Sequence, residues 1–138
     1  MARILAIDYG TKRTGIAVSD PLQIIASGLD TVPTENLLDF LTNYMESEEV
    51  ETIVIGEPFH LDGTPAQIAP LIYQFIDKLK VKFPHLPVEK VDERFTSEEA
   101  KQVILRSGVK KKKRRDKSLI DKVSAVLILQ TFMDKKNY

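Results

Sequence analysis

The sequence contains no cysteine and no tryptophan, and aromatic residues make up only 7% of its 138 residues. Without cysteine, the chain has no thiolate nucleophile, no disulfide and no zinc site built on sulfur ligands. It also has no run of about 18 apolar residues and no signal-peptide pattern at its start. We therefore expect a cytoplasmic protein that does not associate with a membrane.

Net charge is lacking as well, because 20 lysine and arginine residues balance 20 aspartate and glutamate residues. No overall electrostatic field attracts the protein to nucleic acid, so any basic binding site must be local. The remaining composition, 43% apolar and 29% charged, is typical of a soluble globular protein. The length predicts one domain that spans residues 1–138 and is large enough for a single sizeable core.

The N-terminal stretch combines a buried strand with a charged turn. Residues 4–7 form an apolar run that is too short for a helix and ends at Asp8. A glycine turn that carries Lys12 and Arg13 follows, and then a second apolar run at residues 16–18. The pattern predicts a hairpin that places a carboxylate next to two basic side chains, an arrangement suited to holding a metal ion or a phosphate.

After this hairpin the chain alternates strands and helices. The predicted elements are an edge strand at 22–29, a helix at 35–47 capped by Thr34, a strand at 52–56, a helix at 66–83, a strand at 87–92, a helix from 96 to about 108, and a last helix from 118 to about 134. Strands joined through helices return parallel by right-handed crossovers. The order therefore predicts an α/β fold with a mixed sheet covered by helices.

Acidic residues follow the predicted strands. The carboxyl ends of parallel strands meet at one edge of a sheet, where ligands bind, and the acids at these ends are Asp8, Glu57, Asp92 and Glu93. A further acid, Asp121, lies in the first turn of the last predicted helix. The apolar stripe of that helix, Ala125, Ile128 and Phe132, should pack on the sheet and direct Asp121 towards the strand ends.

Carboxylates gathered in this way would repel one another unless a cation lay between them. Their oxygen atoms are hard ligands that suit Mg²⁺ or Mn²⁺. Two such ions, about 4 Å apart, would activate a water molecule and stabilise the leaving oxygen in phosphodiester hydrolysis. The acidic pattern therefore fits metal-dependent hydrolysis of phosphodiester bonds.

Structural roles are open alternatives for some of these acids. Asp121 fits a capping box with Ser118, in which its carboxylate would only satisfy the N–H groups at the start of the helix. Glu93 could form a surface ion pair with Arg94 or Lys90. Asp8 has the stronger claim to a functional role, because it ends a strand that is predicted to be buried on both faces.

A basic run precedes the last predicted helix. It holds seven cationic residues and one acid, and the cationic residues are Lys110, Lys111, Lys112, Lys113, Arg114, Arg115 and Lys117. Charge runs usually form a solvated surface, but this one adjoins Asp121. We therefore predict that the run binds the phosphates of a nucleic acid.

Four motifs together resemble the YqgF family, whose members are ribonuclease H-like and similar to the RuvC Holliday junction resolvases. The motifs are IDYGTKRTGIAVSD, VIGEPFHLDGTP, DERFTSEEA and IDKVSAVLILQ. The resemblance implies a five-stranded mixed sheet in the order 3-2-1-4-5, with strand 2 antiparallel and helices on both sides. It also implies a nuclease that acts in 5′-end maturation of pre-16S ribosomal RNA.

The resemblance further implies roles for individual residues. Its catalytic and metal-binding acids would be Asp8, Glu93 and Asp121, and its phosphate contacts would be Lys12, Arg13 and Arg94. Glu57 departs from the family pattern, which often has an apolar residue there, so it could add a metal ligand or have no role.

Other functions remain open from the sequence. A resolvase of branched DNA, a nucleic-acid-binding module without catalysis, and an ATPase of the sugar-kinase and actin type each match part of the pattern. The ATPase reading requires a second half-domain that 138 residues cannot supply. The choice between RNA and DNA, between Mg²⁺ and Mn²⁺, and between monomer and homodimer is not determined by these motifs.

Overall fold

The core of the fold is a five-stranded mixed sheet, seen in a computed structural model that describes residues 2–59, 63, 66–93 and 117–136. The strands are β1 (Arg3–Asp8), β2 (Arg13–Ser19), β3 (Ala26–Pro33), β4 (Val50–Glu57) and β5 (Val88–Asp92). Their order in the sheet is β3-β2-β1-β4-β5. The pairs β1–β2 and β2–β3 are antiparallel, whereas β1–β4 and β4–β5 are parallel. The predicted strand order and the antiparallel β2 are confirmed.

Helices cover both faces of the sheet. The described helices are a 3₁₀ turn (Thr34–Asn36), α1 (Leu37–Ser47), α2 (Ala69–Lys82) and α3 (Lys117–Lys136). Proline is tolerated in the first turn of α2, because the N–H groups there have no partner within the helix. Among the described helices, none combines the length and the hydropathy needed to cross a lipid bilayer.

Two apolar cores lie on opposite faces of the sheet because side chains alternate along each strand. On β1, Leu5 and Ile7 pack in the core beneath α1 and α2, whereas Ile4 and Ala6 pack in the core beneath α3. Asp8 follows Ile4 and Ala6 in this alternation and therefore lies on the α3 face. The predicted stripe of α3 is confirmed, since Ala125 and Ile128 are buried in this core and Phe132 packs against it.

Strand β3 begins later than predicted, at Ala26 rather than at residue 22. The reason is a local turn, in which the Oδ1 atom of Asp20 accepts hydrogen bonds of 2.7 Å from the backbone N–H groups of Ile24 and Ile25. Aspartate often competes for backbone groups in this way. Gln23 has a positive φ of 58° within the turn. The strand then continues to Pro33, beyond the predicted end.

Thr34 is not the N-cap of α1, as the sequence predicted. A 3₁₀ turn begins at Thr34, α1 begins at Leu37, and the residue before α1 makes no side-chain capping hydrogen bond. The Thr34 hydroxyl instead donates to the backbone carbonyl oxygen of Gly10 at 2.6 Å. The other described elements differ from their predicted bounds by a few residues. The helix predicted from 96 to about 108 lies outside the described residues.

Candidate active site

Asp8 and Glu93 come together on the α3 face, at the carboxyl ends of β1 and β5. Between them lies β4, and its Gly56 leaves room for the Glu93 carboxylate. A Cβ atom at Gly56 would lie 2.7 Å from both the carboxyl carbon and the Oε2 atom of Glu93. The Glu93 backbone N–H also donates to the Glu57 carbonyl oxygen at 3.1 Å, which continues the pairing of the two strands. A hydrogen bond joins the side chains of Asp8 and Glu93.

Asp121 approaches Asp8 from the β2 side of β1, whereas Glu93 approaches it from the side of β4 and β5. Its backbone rests on Gly15 of β2, where a Cβ atom would lie 2.1 Å from the Asp121 carbonyl oxygen. Gly15 is the register partner of Asp8 in the β1–β2 pair. The close approach of α3 to this glycine therefore sets Asp121 beside Asp8, and the negative charge of Asp121 acts on Asp8.

The environment of Asp8 opposes its ionisation. Burial is the largest cause and, with the nearby charge of Asp121, it raises the pKa of Asp8 from 3.8 to about 6, although the hydrogen bond with Glu93 acts in the opposite direction. Perturbed carboxyl groups of this kind concentrate at functional sites. The acids therefore form an electrostatically coupled group, and a cation beside them would favour the ionised form of Asp8.

The three carboxylates fit a hard divalent cation by their chemistry. A cation already contacts one of them, since the guanidinium Nε of Arg13 lies 2.5 Å from Oδ2 of Asp121. Within residues 2–59, 63, 66–93 and 117–136, however, no three acidic or histidine side chains are grouped tightly enough to hold a metal ion. The donor set is thus suitable, while its side chains are not arranged as a finished coordination shell.

A polar cleft of about 260 Å³ opens next to the acids. It is lined by Gly10, Thr11, Lys12, Arg13 and Asp121. Hydrogen bonds hold the turn that forms one wall. The Thr34 backbone N–H donates to the Lys12 carbonyl oxygen at 3.0 Å, in addition to the Thr34–Gly10 bond. The Thr34 hydroxyl also lies 2.9 Å from the hydroxyl of the buried Thr14. These bonds fix the backbone of the turn, and the two basic residues of the turn line the same cleft as Asp121.

Glu57 does not join this group. It lies one residue beyond Gly56 and therefore faces α2, on the other side of the sheet. There the Tyr73 hydroxyl donates to its Oε2 atom at 2.6 Å, and the Lys90 ammonium lies 3.9 Å away. The suggestion that Glu57 adds a metal ligand is therefore not supported by its position, and Lys90 pairs with Glu57.

Several predicted contact residues lie outside the part of the chain that the structure describes. They are Arg94, Lys110, Lys111, Lys112, Lys113, Arg114 and Arg115. Lys117 is the first residue of α3, and its side chain is likewise not described. Their phosphate-binding roles remain predictions.

Sequence reasoning missed the parts of the site that organise it. Gly15 and Gly56 make room for Asp121 and Glu93, and Thr34 holds the basic turn. The sequence did contain a signal for the two glycines. Each of them replaces an apolar side chain at an inward-facing position of its strand. No local pattern pointed from Thr34 to Gly10, because the contact depends on how β3 returns to the hairpin.

Comparison with known proteins gives consistent matches over nearly the whole chain. A sequence profile named RuvX and described as Holliday junction resolvase matches residues 2–135. A protein of Christiangramia forsetii is 55% identical over 133 residues, which are 96% of this chain and 98% of the relative. A protein of Phocaeicola vulgatus is 52% identical over 138 residues, which are 100% of this chain and 99% of the relative. Both relatives are named as candidate pre-16S rRNA nucleases.

A solved structure supports the same fold. T. thermophilus RuvC in complex with a Holliday junction substrate superposes with a TM-score of 0.58, and the match covers 99% of this chain and 96% of that one. The sequence identity of 17% limits this likeness to the fold. This likeness confirms the predicted ribonuclease H-like architecture. The matching profile and the two relatives confirm the resemblance drawn from the four sequence motifs.

Proposed function

Because this chain belongs to the RuvX family of Holliday junction resolvases, we propose that it is a metal-dependent nuclease that hydrolyses phosphodiester bonds in pre-16S rRNA. The observation that carries the proposal is the convergence of Asp8, Glu93 and Asp121 on one face of the sheet, beside a basic turn. Relatives that are more than half identical and are named as candidate pre-16S rRNA nucleases support ribosomal RNA maturation as the process.

Asp8, Glu93 and Asp121 would hold two Mg²⁺ or Mn²⁺ ions, which when bound supply an activated water molecule and stabilise charge on the leaving oxygen. Burial disfavours the ionised form of Asp8, and a cation bound beside it would offset this cost by stabilising the carboxylate. Lys12 and Arg13 would orient a phosphate group of the substrate at the same edge, because both side chains line the adjacent cleft. In this proposal the acids hold the metal ions, and the basic turn binds the phosphate of the substrate.

The test is cleavage by the purified protein, with Mn²⁺, with Mg²⁺ and with EDTA. Labelled pre-16S leader RNA and a four-way DNA junction serve as substrates. Asp8→Asn should keep the fold and lower the cleavage rate by at least about 100-fold, because one metal-binding carboxylate is lost. Glu57→Gln is the matched control, since this acid ends the neighbouring strand but faces α2. It should cleave at the wild-type rate.

The family description supports a second candidate, resolution of branched DNA. Cutting of the junction without cleavage of the leader RNA would favour it. Binding of either substrate without metal-dependent cleavage would instead identify a binding module. A folded Asp8→Asn protein that cleaves as fast as wild type would rule out the assigned site.

A further inference from the structure

Arg13 is tied to one of the three acids of the site. Its Nε atom lies 2.5 Å from Oδ2 of Asp121, and 108 positions separate the two residues in the sequence. Hydrogen bonds between a guanidinium and a carboxylate are among the stronger ones in proteins, because both groups are charged. The side chains are 39% and 21% exposed, so the pair is partly shielded from solvent but still accessible from the cleft.

The position of Arg13 is built into the fold. Arg13 begins β2 and is two residues before Gly15, so both lie on the face that α3 covers. Gly15 brings the Asp121 backbone down onto the strand, and Thr34 holds the turn just before Arg13 through its contacts with Lys12 and Gly10. The contact is therefore supported from β2, from α3 and from the start of the 3₁₀ turn.

The Arg13 guanidinium and a divalent metal ion would compete for the Asp121 carboxylate. A divalent ion held by Asp121 would be repelled by a guanidinium within contact distance, because the like charges would share one ligand group. The guanidinium also has an alternative partner, since arginine binds phosphate through paired N–H donors. Arg13 can thus exchange a carboxylate for a phosphate at the same edge of the sheet.

We infer that Arg13 is a positioning residue that couples divalent-cation binding to substrate binding. Without a divalent ion, its guanidinium neutralises Asp121. Binding of the ion displaces the guanidinium, which then turns to a phosphate of the nucleic acid. Because such coupling is reciprocal, bound nucleic acid should tighten ion binding by the same factor as the ion tightens nucleic-acid binding. The inference rests on the proposed metal site.

The test compares Arg13→Gln with Lys12→Gln. Both variants remove one positive charge from the same turn and the same cleft, but Lys12 makes no ion pair with a described residue. Binding of Mn²⁺ is measured by electron paramagnetic resonance without nucleic acid, so the readout does not depend on cleavage. Arg13→Gln should bind Mn²⁺ roughly five-fold more tightly than wild type, which corresponds to the loss of one partly exposed competing ion pair. Lys12→Gln should change the Mn²⁺ affinity by less than about two-fold.

The second readout is anisotropy of a labelled leader RNA with phosphorothioate linkages, which resists cleavage. Mn²⁺ should tighten RNA binding less in Arg13→Gln than in wild type or Lys12→Gln. Equal Mn²⁺ affinities for the two variants, or weaker binding by Arg13→Gln, would overturn the inference and leave the metal site intact. If the folded wild-type protein bound no Mn²⁺, the proposed function would fail together with the inference.

Discussion

The buried position of Asp8 makes its ionisation costly, and the cost should appear in the stability of the protein. Its pKa is raised from 3.8 to about 6 by burial and by the charge of Asp121. A carboxyl group whose pKa is higher in the folded state binds its proton more tightly there than in the unfolded chain. Its contribution to stability is therefore complete below the unfolded pKa and is lost as the pH rises through the folded pKa.

We expect this loss to be measurable in metal-free protein. Between pH 4 and pH 7.5, the shift corresponds to about 2 to 3 kcal/mol of unfolding free energy. Asp8→Asn has no titrating group at this position. As the pH rises from 4 to 7.5, wild type should therefore lose this amount of unfolding free energy relative to Asp8→Asn. Urea unfolding of both proteins in EDTA measures the difference.

Addition of Mn²⁺ at pH 7.5 should reverse the trend for wild type, because a bound cation stabilises the ionised acid. It should have a smaller effect on Asp8→Asn. A difference that stays constant from pH 4 to pH 7.5 would show that Asp8 is ionised at no cost, because a further group stabilises its carboxylate.

Helix α3 packs over three glycines of the sheet, and it approaches two of them, Gly15 and Gly28, to different distances. At Gly15 of β2, a Cβ atom would lie 2.1 Å from the Asp121 carbonyl oxygen, which is part of a helix backbone. At Gly28 of β3, the nearest atom would be the Lys122 Cβ at 3.5 Å, an ordinary contact distance. Alanine substitutions at the two positions therefore test whether the close approach at Gly15 positions α3 on the sheet.

Gly15→Ala should displace the start of α3 and cost about 1 to 3 kcal/mol of stability, as overpacked sites do. It should also weaken Mn²⁺ binding, because Asp121 moves with its helix. Gly28→Ala should change stability by about 0.5 kcal/mol or less, since the added methyl group meets only side chains. Thermal melts and Mn²⁺ titrations of both variants check this. If Gly15→Ala were as stable and bound Mn²⁺ as well as Gly28→Ala, the close approach would not be what places Asp121.

These elements also show how far sequence reasoning could go. Apolar runs and helical stripes predicted a mixed sheet and the packing of α3, because both follow from side-chain periodicity, whereas the strand order came from the resemblance of the four motifs to a known family. The Asp20 turn delayed β3, and Thr34 bonded to Gly10 instead of capping α1. Both differences arise where one polar side chain had two possible backbone partners. The exclusion of Glu57 was within reach, since it follows from strand alternation once Gly56 is placed on the α3 face.

Across the whole molecule, positive charge is concentrated in one stretch of a neutral chain. Residues 110–117 carry seven cations and one acid, which leaves the rest of the chain with a net charge of −6. Most of the chain thus repels nucleic acid, while this stretch and the turn at Lys12 and Arg13 attract it. We expect the salt dependence of binding to originate mainly from these cations.

Changing Lys110, Lys111, Lys112 and Lys113 to glutamine should flatten the plot of log K against log salt. Each phosphate contact contributes about 0.7 to the slope on single strands and about 0.9 on duplexes, so four lost contacts remove roughly three units. Sequence preference should hardly change, because phosphate contacts position a substrate without reading its bases. Binding titrations of leader RNA between about 50 and 200 mM salt measure the slope.

The control removes cations from the face of the molecule away from the acids. Lys78, Lys80 and Lys82 are exposed on α2, which covers the sheet opposite α3. Changing them to glutamine lowers the net charge by nearly as much, but it should leave the slope within about half a unit of wild type, since released counterions come from contacted phosphates. Equal flattening in both variants would mean that total charge governs binding. An unchanged slope in the first variant would mean that the basic run is a solvated surface and that the nucleic acid binds elsewhere.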